Sequence, residues 1–259
     1  MAKIKTTEEI ALLRESGKRL ARVLHLVAKE VRPGVTTKHL DEVAEQLIRE
    51  TGDVPPFLNY TPHGARDPFP ASLCVSVNDE IVHGIPGERI IKDGDIISLD
   101  LGLSHKGMIT DAAVTVAVGK VSPEIVELIK ETERSLEEGM RAIRTGGHIG
   151  DIGAAVEAVA HKHGYGIVRE LGGHGVGHAV HEDPYVPNYG KKGTGPILKS
   201  GMVLALEPMF MLGREDIRIL PDGYTVITKD GSLSAHFEHT VVITEKGAEV
   251  VTRHILPKQ

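Results

Sequence analysis

Two passages of this chain read as copies of one another, and that restricts its possible folds more tightly than any single motif. "VRPGVTTKHLDEVAEQLIRETG", from Val31, aligns without gaps on "IRTGGHIGDIGAAVEAVAHKHG", from Ile143, with Arg32 over Arg144, Gly34 over Gly146 and Gly52 over Gly164. Farther on, "IIKDGDIISLD" aligns on "PILKSGMVLALE", bringing Gly94 over Gly201 and Asp100 over Glu207. "TDAAVTVAVG" then resembles "FEHTVVITEKG", which sets Asp111 over Glu238. Identity between the passages is low, and coincidence between two amphipathic patterns is the competing account. A repeated unit needs its apolar face covered, and a second copy is the simplest cover. The expected fold class is α+β, with one domain over residues 1–259 and halves at about 7–120 and 121–252. Each half would be a helix pair packed on an antiparallel sheet, with four carboxylates converging near the axis relating them.

The helical half of the pattern is explicit. Residues 7–31 carry Ile10, Leu13, Leu20, Leu24 and Val27 at helical spacing, and "TTKHLDEVAEQLIRETG" gives a second helix with a Thr cap. A third helix is expected from Ser122 as cap with Pro123 in its first position, and "HIGDIGAAVEAVAHKHGYG" supplies a fourth.

The strand half poses a question. "IISLDLGL" and "MITDAAVTVAV" read as strands joined by a turn at "SHKG", so "DGDIISLDLGLSHKGMITDAAVTVAVG" is an expected hairpin. If Ser104 and Gly107 face each other across the turn, Asp100 faces Asp111. Directly opposed side chains have Cβ atoms roughly 5 Å apart, and like charges there are destabilising. A shared proton or a cation between them would neutralise the pair; two solvated surface aspartates are the bland reading.

Bulk properties narrow the setting. The chain of 259 residues can bury a substantial core, and its single cysteine, Cys74, forms no internal disulfide and suits a reducing cytoplasm. The opening residues are charged throughout and lack a signal peptide's apolar core, and no run of eighteen apolar residues suggests a membrane span. Thirty Lys plus Arg against thirty-six Asp plus Glu give a net charge of −6, which argues against sequence-specific or broad nucleic-acid binding. The first fifty residues nevertheless hold ten Lys or Arg. A solvated helix face explains most such clusters, and a ribosome-facing surface is the alternative.

"ELGGHGVGHAVHEDP" adds His174, His178 and His181 in a glycine-rich stretch where backbone and side chains can crowd a centre. A single histidine there reads as structural; with four carboxylates at matching strand positions, the set reads as a metal centre. One imidazole among hard oxygen donors suits Mn, Fe(II) or Co better than the thiolate sets of structural zinc.

With these residues in view, "CVSVNDEIVHGIP", "DGDIISLDLG" with "ITDAAVTVAVG", "GGHGVGHAVHEDPYVPNYG", "GMVLALEPMF" and "DGSLSAHFEHTVVIT" resemble, in order and spacing, the type I methionine aminopeptidases. The resemblance runs from about residue 5 to residue 252 and implies the pseudo-two-fold "pita-bread" fold with two divalent ions (Mn, Fe(II), Co or Zn). It implies that Asp100 binds one ion, His174 and Glu207 bind the other, and Asp111 and Glu238 bridge them. It assigns His83 and His181 to the scissile amide and its developing oxyanion, and makes Glu207 the general base. The implied activity is removal of the initiator methionine from nascent polypeptides whose second residue is small. The absence of a zinc-finger-like N-terminal extension fits the short bacterial form.

Departures concentrate in the side-chain pocket. The loop "FLNYTPHGARDPFPASLC" is longer than the family's usual one, and the expected pocket residues are Tyr60, Phe69, Cys74, Val180 and Tyr224. Val180 stands where a bulky aromatic is common, and Tyr224 where many relatives have Trp. Competing readings are a proline-directed peptidase, whose members usually carry an extra N-terminal domain, and a binding module with a decayed site, which would have lost ligands. A mononuclear iron oxygenase with two His and one carboxylate would leave two carboxylates without a role.

Overall fold

The computed structural model describes residues 2–62 and 64–253. The chain opens with α1 (Thr7–Glu30) and α2 (Thr37–Glu50), followed by β1 (Leu73–Val77), β2 (Glu80–Val82), β3 (Ile96–His105) and β4 (Met108–Ala117). A second helix pair, α3 (Pro123–Ala142) and α4 (Ile149–His163), precedes β5 (Gly166–Ile167), β6 (Gly172–Gly175), β7 (Glu182–Pro187) and β8 (Val203–Leu206). The remaining strands are β9 (Met209–Met211), β10 (Ile217–Ile219), β11 (Val226–Thr228), β12 (Ser234–His236), β13 (Glu238–Thr244) and β14 (Gly247–Val250).

The helix starts are chemically specified. Thr6 and Glu9 form a reciprocal capping box on α1, and the Thr36 hydroxyl accepts the His39 N–H at the start of α2. Ser122 caps α3 with Pro123 in its first turn, as its sequence predicts. Leu20, Leu24 and Val27 of α1 and Leu40, Ala44 and Ile48 of α2 pack in one cluster with Leu99 and Leu101 of β3 and Val114 and Val116 of β4. Leu136 and Met140 of α3, Ile149 and Ile152 of α4, and Leu204 and Leu206 of β8 join the same cluster. Each such Leu or Ile contributes roughly 1.5–3 kcal/mol relative to exposure.

These helices cover one face of a sheet ordered β1-β3-β4-β13-β8-β6-β7, with β14 added on β13 and antiparallel neighbours throughout. Ile97, Leu99, Leu101 and Leu103 of β3 and Ala112, Val114 and Val116 of β4 face the helices. The two-residue period of a strand therefore turns Asp100 and Asp111 to the opposite face.

The hairpin register differs from the expected one. Lys106 and Gly107, both left-handed at φ 50° and 82°, form the loop, and His105 faces Met108. Two consecutive left-handed residues make the two-residue loop whose twist suits antiparallel strands. The reversal therefore falls one residue beyond a Ser104–Gly107 pairing. Asp100 faces Ala113 and Asp111 faces Gly102. The aspartates are diagonal neighbours, about 7–8 Å apart at Cα rather than directly opposed. Because facing partners move by two residues, both still share one face. Among the described residues, no helix is long and apolar enough to cross a membrane.

Candidate metal centre

Two adjacent cross-strand rows build the site. In the first, Cys74 of β1 faces Asp100 of β3, Asp100 faces Ala113 of β4, and Ala113 faces Glu238 of β13. Glu207 lies one residue past β8, where the β8–β13 register continues to the position opposite Glu238. In the second row, Gly102 faces Asp111, and Thr240 faces Ala205, which faces His174 of β6. The Thr240 hydroxyl accepts the Asp111 N–H and donates to the Asp111 carbonyl, each at 2.8 Å, joining β4 to β13 where ordinary ladder pairing stops. Ala113 is the small residue between the two carboxylates of the first row, whereas over Gly102 an added Cβ would lie 2.7 Å from Pro56 and 2.8 Å from Phe57, so the loop before β1 closes that position. At Gly173 an added Cβ would lie 2.2 Å from the Ala205 carbonyl oxygen, and at Gly175 2.2 Å from that of Asp183. The glycines beside His174 thus permit a backbone approach that larger residues would block.

Asp100, Asp111, Glu207, Glu238 and His174 are all buried. Asp111, His174 and Glu238 each bring a donor atom within 4.8 Å of the others. His174 Nε2 lies 3.7 Å from Glu207 Oε1. The Asp100 and Asp111 carboxyls are close enough to influence each other's ionisation directly.

The electrostatics are those of crowded acids. Burial, followed by the charges of Asp111 and Glu207, holds Asp100 well above the carboxylate range. Burial pushes Asp111 up to about 7, and burial with the Asp111 charge pushes Glu207 up to about 8. Burial and then Asp111, Asp100 and Glu207 raise Glu238. Oδ1 of Asp100, Oδ1 of Asp111 and Oε1 of Glu238 have no hydrogen-bond partner among the described residues. A buried acceptor left unpaired costs about 1–3 kcal/mol, more if charged. Divalent cations would satisfy several such oxygens together, and this oxygen-rich donor set fits them. His174 is prepared for the same role. Its Nδ1 lies 2.9 Å from the Gly175 carbonyl, which can only accept, so Nδ1 carries the proton and Nε2 presents a lone pair to the centre. Burial, then His181, lowers its pKa to about 3.

The other sequence candidates surround this centre. His181 stacks edge-on against His174 at 4.5 Å, and its Nδ1 lies 2.8 Å from the Tyr60 hydroxyl. His83 follows β2 with a left-handed φ of 60°, and burial with the nearby His181 lowers its pKa to about 4. A non-glycine residue in that region stores roughly 1–3 kcal/mol of strain and is found preferentially at functional positions. Phe57, Phe69, Ala71, Cys74 and Val180 form one apolar cluster, with Tyr60 and Tyr224 packed against it. The long loop folds back on itself, Phe69 N–H to Tyr60 carbonyl at 2.8 Å, and Tyr224 anchors it through the Asp67 carbonyl at 2.5 Å. His63, within that loop, lies outside the described residues. Burial and then the Asp100 charge raise the Cys74 thiol, which makes it a poor nucleophile.

His178 does not join the centre; its Nε2 pairs with Glu9 at 2.7 Å. Sequence reasoning missed His236, which is buried with Nε2 3.8 Å from Glu207 Oε2 and held neutral, down to about 3, by burial and then His83. Its signal was its place two residues before Glu238 in "SAHFEHT".

Comparison with known proteins agrees with this geometry. Residues 11–245 match the sequence model described as metallopeptidase family M24. The chain is 43% identical over 249 residues to methionine aminopeptidase 1 of Bacillus subtilis, spanning 96% of this chain and 98% of that one. It is 45% identical over 249 residues to the methionine aminopeptidase of Clostridium perfringens, again spanning 96% and 98%. Its fold superposes on the crystal structure of methionine aminopeptidase from Thermotoga maritima with TM-score 0.94 at 39% identity, covering 98% of this chain and 100% of that one. With the acid cluster, the ligand-ready His174 and a family match across both halves, this chain belongs to metallopeptidase family M24.

Proposed function

We propose that this chain is a metal-dependent aminopeptidase that removes the N-terminal methionine from nascent proteins and peptides whose second residue is small. The observation that carries the reading is the position of His181. It touches His174 on one side and Tyr60 of the apolar pocket on the other, so a side chain in that pocket places its own amide at the metal centre. The pocket is lined by flat and small apolar groups, which suits an unbranched thioether side chain.

In this reading Asp100 would hold one divalent ion and His174 and Glu207 a second, with Asp111 and Glu238 available to both. Bound ions would supply Lewis acidity and bring the pKa of the attacking water into the working range. Glu207 takes the proton from that water and returns it to the leaving amine. If the Tyr60 hydroxyl donates to His181 Nδ1, His181 carries its proton on Nε2 and can donate it to the developing oxyanion. His83, neutral at pH 7, is the second donor from the opposite side of the amide. Crowding between His83 and the glycine-rich β6 walls restricts the second residue to small side chains.

The reading includes one catalytic domain over 1–259 built by duplication, with halves at about 7–120 and 121–252. Its support is conformational: the matched pairs Gly34 and Gly146 (φ 91° and 85°), Gly52 and Gly164 (75° and 72°), and Gly94 and Gly201 (89° and 85°) agree closely. A cytoplasmic setting accords with Cys74 as a buried free thiol. A ribosome contact through the basic N-terminal face is weakly supported, because Arg14, Arg19, Arg32 and Arg49 are already paired with Glu249, Glu15, Glu30 and Glu45.

Hydrolysis of Met-Ala-Ser, Met-Leu-Ser and Ala-Pro-Ser by Mn-loaded protein tests the reading. Met-Ala-Ser is expected to be cleaved well ahead of the others; preference for Ala-Pro-Ser would identify a proline-directed peptidase instead.

A further inference from the structure

His236 ends β12 in a place that the fold does not need an imidazole to fill. Its backbone is fixed independently of its ring. The N–H donates to the Thr115 hydroxyl and the carbonyl accepts from it, each at 2.8 Å, and β12 pairs His236 with Met209. The ring is 1% exposed, and neither nitrogen has a hydrogen-bond partner among the described residues. An apolar side chain would avoid that cost of about 1–3 kcal/mol, so an unpartnered imidazole here calls for a role.

The carboxylate of Glu207 lies between two imidazoles, with Oε1 3.7 Å from His174 Nε2 and Oε2 3.8 Å from His236 Nε2. The two flanks differ in kind. His174 donates its Nδ1–H to the Gly175 carbonyl, so its Nε2 lone pair and Glu207 Oε1 face each other as two acceptors that a cation would satisfy together. His236 has no such commitment, and with its proton on Nε2 it is a donor aimed at Oε2. Closing the gap by about 1 Å gives an ordinary hydrogen bond.

We propose that His236 is a positioning residue of the metal centre: with its proton on Nε2 it donates to Glu207 Oε2 and orients the carboxylate so that Oε1 stays turned to His174, where the two would share a cation. The inference rests on the metallopeptidase reading above and extends it to a residue acting through Glu207 rather than on substrate. Partners of this kind around metal ligands are worth roughly tenfold to a hundredfold in metal affinity.

The test is calorimetric titration of Mn²⁺ into chelator-stripped parent, His236→Gln, His236→Asn and His236→Leu, with Met-Ala-Ser kinetics alongside. A Gln amide nitrogen reaches about as far as Nε2, whereas Asn reaches only about as far as Nδ1. Gln is expected to bind Mn²⁺ near the parental affinity, and Asn and Leu roughly tenfold to a hundredfold more weakly, with kcat lowered and KM little changed. Parental affinity in the Leu variant would overturn the proposal, and so would a Gln variant as weak as Leu, which would make the ring a ligand or a packing element. Should Leu fail to fold, the contrast between Gln and Asn decides, equal affinities counting against it. A parent that binds no Mn²⁺ would overturn the underlying reading itself, a result distinct from any ranking of the variants.

Discussion

Asp100 and Glu238 stand on either side of Ala113, two buried carboxylates separated by one strand and a single methyl group. The row spans two strand spacings, about 10 Å at the backbone, and the volume above Ala113 is where their side chains converge. Ala113→Leu is expected to fold, since a leucine fits an otherwise buried strand face, but to fill that volume. Mn²⁺ affinity should fall at least tenfold by calorimetry while far-UV circular dichroism stays parental. Undiminished binding would move the centre away from Ala113.

The diagonal pairing of Asp100 with Asp111 separates metal binding from stability. Without metal, both are buried acids with raised pKa values, so Asp100→Asn removes a group that burial and its neighbours disfavour in the charged form. In chelator the variant is expected to melt at or above the parental temperature, yet to gain less from added Mn²⁺, because a ligand stabilises only the state that binds it. Activity on Met-Ala-Ser should be nearly abolished. A clearly lower Tm in chelator would show that Asp100 makes a structural contact in the metal-free fold.

Substrate histidines and metal ligands should part company. His181 is tied to Tyr60 and His83 lies outside the clustered donor set. His83→Ala and His181→Ala are therefore expected to keep parental metal content by elemental analysis while losing most of kcat. His174→Ala should lose metal. Equal metal loss in His181→Ala and His174→Ala would contradict the division of roles.

The loop bearing His181 is held by an ion pair distant in sequence. Lys5 Nζ lies 2.6 Å from Glu182 Oε2, both side chains nearly inaccessible, while Glu182 Oε1 accepts the His178 and Ala179 N–H groups. Lys5→Met leaves Glu182 buried with less compensation, and breaking such a pair costs roughly 3–5 kcal/mol. Although burial alone would raise Glu182, the Lys5 hydrogen bond and charge hold it below its ordinary 4.5. A depressed acid stabilises the fold above its ordinary pKa and loses that contribution as pH falls through the folded value. The Tm gap between parent and Lys5→Met should thus be full at pH 7 and narrow below about 4.5. A gap independent of pH would assign the loss to packing.

How much of this the sequence carried depended on whether the signal was local. Helix caps at Thr36 and Ser122 and the shared face of Asp100 and Asp111 follow from spacing alone, and all are present. The α+β arrangement implied by the resemblance is the one found, and three of the five candidate ligands, Asp111, His174 and Glu238, bring donor atoms within 4.8 Å of one another. The exact facing partner was wrong because Lys106 and Gly107, not the strands, choose the loop. Ala113 and Ala205 were invisible as site residues because an alanine in a strand reads as filler until its cross-strand neighbours are known. Lys5 with Glu182, 177 positions apart, and His236 with Glu207 meet only through the folded sheet.

The central claim is that four buried carboxylates and His174 exist to hold two cations. Anomalous difference density from Mn-soaked crystals measures this directly. The predicted result is two peaks about 3.5–4 Å apart, as in two-metal hydrolytic sites, one near Asp100, the other near His174 and Glu207, with Asp111 and Glu238 between them. A single peak, or peaks ligated elsewhere such as at His178, would contradict the account.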